Sequence, residues 1–328
     1  MFEKITGFIR HNKELLTLLV LAPAIPELLT GSTPFYVFIN PFNLLILVII
    51  YGFSAVLVRD YSVKHGLGYG SVMLLGLLVG FLVEGLAVNT FYDPRVEKVD
   101  DFATYGRFLG VNWCWLFYLA FFHSIFSVLA PIMLVEAIYP DINGKTLVGS
   151  KGHKYMLLAV ALVTILFNFS EDVYKPPIYY QLVLLVFMIT YMHIAHKIVI
   201  KNYRPSLGFL ERNKYPFKLL ILYPLVFVLL AFFIASKILP PIIHILLGII
   251  LYLALYNTVR GIEDRGSIKS WLASSRLTLG LCITGYLTAI FDQQYHIIVP
   301  ATLFVIILLI KNRTMNIAQP KNIAIAHN

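Results

Sequence analysis

Residues 71–91 read SVMLLGLLVGFLVEGLAVNTF, and residues 111–138 read VNWCWLFYLAFFHSIFSVLAPIMLVEAI. Each run is long enough to cross the roughly 30 Å of hydrocarbon that needs about 20 apolar residues in a helix. Each also carries an ionisable group in mid-run, Glu84 in the first and His123 in the second. An ionised side chain near the bilayer centre costs about 3 kcal/mol on insertion scales, so such residues face the protein interior, find partners and mark function.

Working outward, apolar runs recur at 15–30, 41–58, 155–170, 177–198, 219–236, 241–258, 273–291 and 297–311. The fold expected is an all-α polytopic transmembrane bundle of about ten spans. Composition agrees. Hydrophobic residues make up 59% of the 328, against about 45–50% in soluble chains. Charged residues make up 13%, about half the usual share, and mean hydropathy is +0.79. A soluble globular enzyme, a disordered tail and a nucleic-acid-binding module are excluded.

The net charge of +9 is a topology signal. With the N-terminus inside, most of the 26 lysines and arginines fall in inner segments. These include Arg59 and Lys64, then Lys145, Lys151 and Lys154, the basic run in 197–218, and Arg260, Arg265, Lys269 and Arg276. The outer segments keep Arg95, Lys98, Arg107, Lys175 and Lys237, beside the acids Asp93, Glu97, Asp100 and Asp101. Basic loops stay cytoplasmic, so both termini are expected inside a multi-pass protein of the cell membrane. The expected partners are membrane lipid and other membrane subunits, and no nucleic acid.

The halves differ. Residues 151–328 read as three helical hairpins, nearly pure Leu, Ile, Val and Phe, whose returning helices open on Pro176-Pro177, Pro240-Pro241 and Val299-Pro300. Proline suits the first helical turn, where its missing N–H is no loss. Residues 1–150 hold the intramembrane polar groups. Counting 1.5 Å per residue, Glu84 lies about 10 Å below the outer surface and His123 about 18 Å below it. They could meet if the two spans pack as an antiparallel pair; separately, Gly76 and Gly80 are spaced as small-xxx-small, which allows close helix packing. Glu27 lies about one turn below the outer end of the first span. Asn89 and Asn112 sit above, with Arg107 at the rim. The expected site is therefore an outward-facing pocket of Glu27, Glu84, Asn89, Arg107, Asn112 and His123. It could bind or translocate a small polar or lipidic ligand. Were the protein a hydrolase, Glu84 and His123 would be the catalytic pair, as general base and proton shuttle.

Other signals are weaker. Pro23 and Pro26 beside Glu27 point to an unwound segment or a kink in the first span. Glu136, followed by Pro140-Asp141, marks the inner end of its span. Trp113 and Trp115 suit an interfacial belt. No cofactor is expected: a haem needs facing histidines at matching depth, and only His123 and His193 come close. His193 and His196 lie three apart on one helix, and His244 opens another. No metal is expected either, because the two cysteines lie in apolar runs and no H-E-x-x-H or C-x-x-C is present. Walker loops and G-x-S-x-G elbows are also missing.

The stretches LAPAIPELLTGSTP from Leu21, YGFSAVLVRD from Tyr51, LVEGLAVNTFYDP from Leu82 and NWCW from Asn112, with FFHSIFSVLAPIMLVEAIYP, cover much of residues 20–140. This region resembles prokaryotic polytopic membrane proteins of unassigned function. That group is in turn faintly similar to the CAAX-protease and bacteriocin-processing superfamily of intramembrane glutamic proteases. The superfamily's paired glutamate, EExxxR, corresponds here to Val83-Glu84 with Val88 at the arginine position, and its FxxxH corresponds to Leu119 with His123. The resemblance implies water activated by Glu84 and polarised by His123.

Overall fold

The computed structural model describes residues 10–95, 105–200, 220–236, 238–262, 264–291 and 293–317. The charges at 201–218, Glu97, Lys98, Asp100, Asp101 and Lys237, and the side chain of His196, lie outside the described residues. Among the described residues ten long helices run in order: α1 Lys13–Leu29, α2 Pro41–Lys64, α3 Tyr69–Ala87, α4 Trp113–Ile138 and α5 Ser150–Phe167. They continue as α6 Ile178–Ile200, α7 Tyr223–Ser236, α8 Pro241–Arg260, α9 Ile268–Phe291 and α10 Ile298–Ile317. A two-stranded hairpin, β1 Arg107–Phe108 and β2 Val111–Asn112, precedes α4. The protein is thus mostly helical, and seven of its helices are long and apolar enough to cross a membrane. The others are α1, with 17 residues, α7, with 14, and α9, which is diluted by Lys269, Arg276 and its hydroxyl side chains.

Helix α4 is the centre of the bundle, buried almost along its whole length, whereas α5 and α6 bury the least. One hydrophobic cluster runs from Leu18 to Leu308, through elements of both halves. Helices α3 and α4 pack closely. A Cβ on Gly76 would lie 2.9 Å from Ser124 Cα, and one on Gly80 2.7 Å from Ala120 Cα, so the backbones meet at a separation that only glycine permits.

Helix α1 carries Pro23 and Pro26 inside a continuous helix, so the unwound-segment alternative is corrected. Pro23 has no N–H to offer Leu19, four residues back. Helix α2 approaches at that carbonyl: a Cβ on Gly52 would lie 2.7 Å from Leu19 O.

Glu136 does lie at the end of α4, two residues before Ile138, but it is no solvated boundary group. It is fully buried, and two arginines from distant segments hold it. Arg59 Nε lies 3.0 Å from its Oε1, and Arg265 Nη2 donates to Oε1 at 2.6 Å. Tyr69 donates to Oε2 at 2.8 Å. Arg59 also donates to Asp60 at 2.8 Å and to the carbonyls of Lys145 and Ile142 at 2.9 Å each. Asp60 in turn accepts the amides of Leu147 and Val148. Two positive and two negative charges balance, and nearly all their polar atoms are engaged, the condition under which buried ions persist. This network closes the end of the bundle where α2 and α4 finish. The β-hairpin lies at the opposite end.

Candidate functional site

Glu84 and His123 converge. His123 Nε2 lies 2.8 Å from Glu84 Oε1, and both residues are buried. The difference in depth closes because side chains lean toward the N-terminus of their own helix. In the antiparallel α3–α4 pair, Glu84 leans away from the hairpin end and His123 leans toward it. His123 Nδ1 lies 2.9 Å from the hydroxyl of Ser127. The Thr90 hydroxyl donates to Glu84 Oε2. With Glu84 ionised, one assignment satisfies every group: Nε2–H donates to the carboxylate, and Ser127 O–H donates to Nδ1.

Tyr51 completes the cluster, and sequence reasoning missed it. Its ring stacks on the His123 imidazole at 5.5 Å. Its hydroxyl lies close enough to the Glu27 and Glu84 carboxylates to interact with both. Glu27 also accepts the Thr33 hydroxyl at 2.5 Å. Four helices therefore bring Glu27, Tyr51, Glu84 and His123 together. A tyrosine inside the run VIIYGF looks like any core aromatic, so no local signal marked it.

Three of these four residues sit in π-helical turns: Tyr51 in Val48–Phe53, Glu84 in Phe81–Ala87 and His123 in His123–Leu129. A π-turn inserts one residue into an α-helix and leaves its carbonyl ladder irregular. Such turns are rare and frequently mark functional sites. Three on facing helices around one pair of ionisable groups is an independent structural mark of the same place.

The remaining expected residues are engaged elsewhere. The Asn89 amide donates to Asn168 Oδ1 at 3.0 Å and to the Tyr174 carbonyl at 2.9 Å, and it accepts from Gln181. Asn112 caps α4 through the amide of Trp115. Arg107 donates to the carbonyls of Tyr92, Gly110 and Asp93. Burial lowers the Arg107 pKa from its ordinary value. Burial likewise pushes the Tyr92 phenol up to about 12, with Tyr180 adding to the rise. These three residues build the hairpin end above the pair. Trp113 is partly exposed there, and Trp115 stacks on Tyr118. For a haem, both ring nitrogens of His123 are already in hydrogen bonds.

A family model described as an uncharacterized membrane protein family matches residues 16–318. A protein of Archaeoglobus fulgidus, described as uncharacterized, is 26% identical over 196 residues, or 57% of this chain. The chain spans 59% of the length of that relative. No solved structure matches.

Proposed function

Since the chain belongs to this uncharacterized membrane protein family, we propose that it binds a small polar or lipidic ligand within the membrane, where the Glu84–His123 pair exchanges a proton with it. The contact of 2.8 Å between the two side chains carries this reading. A carboxylate and an imidazole in hydrogen-bonding contact can pass a proton between them. Tyr51 and Glu27 extend the polar wall. Asn89, Arg107 and Asn112 frame the entrance from the hairpin side. The proposed topology is ten spans with both termini cytoplasmic and the hairpin outside. The basic residues gathered at the Arg59 end support it.

The test is pH-difference infrared spectroscopy of the protein in lipid vesicles. A carboxylic-acid carbonyl band that titrates in wild type, vanishes in Glu84→Gln and shifts in His123→Ala is the expected result. A band pattern untouched by both substitutions would show that the pair exchanges no proton.

One observation favours a second reading, a glutamic-type intramembrane hydrolase. Glu84, His123 and Ser127 form a continuous acid–imidazole–hydroxyl relay, the arrangement that activates a hydroxyl or a water. Ser127 is fully buried, so this reading needs the bundle to open before a substrate could reach it. Cleavage of a transmembrane peptide that is lost in His123→Ala would favour it over ligand binding.

A further inference from the structure

A cavity of about 500 Å³ opens between α2, α3, α5 and α6, away from the Glu84–His123 pair. Its walls are aliphatic, with Leu57, Leu78, Val79, Leu157, Val160 and Met188 along its length. Its polar lining is concentrated at one end, where α2 finishes at Lys64 and His65 and α5 begins near His153. From His153 to Val160 is about 10 Å along α5, and from Ser54 to Lys64 about 15 Å along α2. The volume lies in the range of about 300–1,000 Å³ typical of sites for small organic ligands. A long apolar slot with a polar mouth fits an amphiphile, with its chain along the helices and its head at the mouth.

The charge of the mouth selects the head. Its one acidic lining residue, Asp60, is paired with Arg59 at 2.8 Å, held by backbone amides and bonded to His153. Lys64 remains at the mouth as a cation, with Lys151 and Lys154 exposed in the first turns of α5. The mouth is therefore net positive. It lies at the end that the charge distribution assigns to the cytoplasmic surface, where basic pockets between transmembrane helices hold anionic head groups.

We infer that this cavity binds one acyl chain of an anionic membrane phospholipid, with its phosphate at Lys64. The site stands apart from the proton-exchanging pair and does not depend on that reading.

The experiment uses the full chain in nanodiscs and a phosphatidylglycerol with a photoactivatable diazirine on its acyl chain. Crosslinks are expected to concentrate on residues 157–160 and 188–192. Unlabelled phosphatidylglycerol should compete and phosphatidylcholine should not. Val160→Trp, which fills the slot, should abolish these crosslinks. Lys64→Gln should weaken phosphatidylglycerol competition about five-fold, the loss expected for one lysine facing an anionic head group. The two variants probe chain and head separately, and an unchanged thermal melt shows that each folds. Crosslinks spread evenly over all lipid-facing helices, or competition by phosphatidylcholine equal to that by phosphatidylglycerol, would overturn the proposal. So would crosslinks that persist at 157–160 and 188–192 in a folded Val160→Trp protein.

Discussion

Among single residues, Tyr51 is the most informative because it touches both sides of the cluster. Tyr51→Phe keeps the ring on His123 and removes only the hydroxyl near the Glu27 and Glu84 carboxylates. The expected outcome is a folded protein destabilised by about 1 kcal/mol, the usual net worth of one polar contact. Its infrared carboxyl bands should change for Glu27 more than for Glu84. Glu136 makes a contrasting prediction. Removing its charge leaves Arg59 and Arg265 buried without their shared partner. Glu136→Gln should therefore destabilise by about 3–5 kcal/mol, visible as a large fall in melting temperature in detergent, with no selective effect on the Glu84 band. Both residues are acids or neighbours of acids in apolar runs, yet one belongs to a candidate site and the other to a clamp. Only their partners distinguish them. Those of Glu136 lie 77 and 129 residues away in the chain, beyond what any local pattern carries.

Among elements, the α3–α4 pair and its π-turns matter most. Gly80 meets the α4 backbone at Ala120, so Gly80→Val forces the helices apart. A loss of about 1–3 kcal/mol is expected from overpacking, together with a weakened Glu84–His123 contact, since both depend on one interhelical distance. A thermal melt read beside the infrared titration checks the two together. The π-turn at Phe81–Ala87 allows a sharper test. Deleting Leu86 returns the segment to α-helical phase and leaves Glu84 in the chain. The helix should persist by circular dichroism while the titrating carboxyl band is lost. An intact band would mean that the wide turn does not position Glu84. Much at this scale was legible beforehand. Length and hydropathy located the helices within a few residues, and the proline pairs marked the starts of α6 and α8. The spacing of Gly76 and Gly80 pointed to the close face. The π-turns were not legible, because an inserted residue leaves no trace in a uniformly apolar run.

For the whole molecule, the prediction concerns orientation. Phe108 is exposed on the hairpin and Thr146 is exposed at the opposite end, while both native cysteines are buried. In intact cells, Phe108→Cys should react with a membrane-impermeant maleimide. Thr146→Cys should react only after permeabilisation. The reverse pattern would invert the proposed topology and place the cationic cavity mouth outside. Residues from both of the halves inferred from composition share one hydrophobic core. The second half also supplies Arg265, from the loop between α8 and α9, and Tyr252 of α8, whose polar groups reach Glu136, Ser124 and the Met73 carbonyl.

By itself the sequence determined that this is a polytopic helical membrane protein, where its helices lie, and that Glu84 and His123 are out of place in an apolar run. Those properties depend on the free energy of moving short segments out of water, which is a local sum over neighbouring residues. Tertiary structure alone decided that Glu84 meets His123, that Tyr51 joins them to Glu27, and that Glu136 is clamped by two arginines. It also decided that an apolar cavity ends in a cationic mouth. These facts depend on which helices are neighbours and at what depth. That is set by packing between segments tens to hundreds of residues apart, which composition and periodicity do not encode.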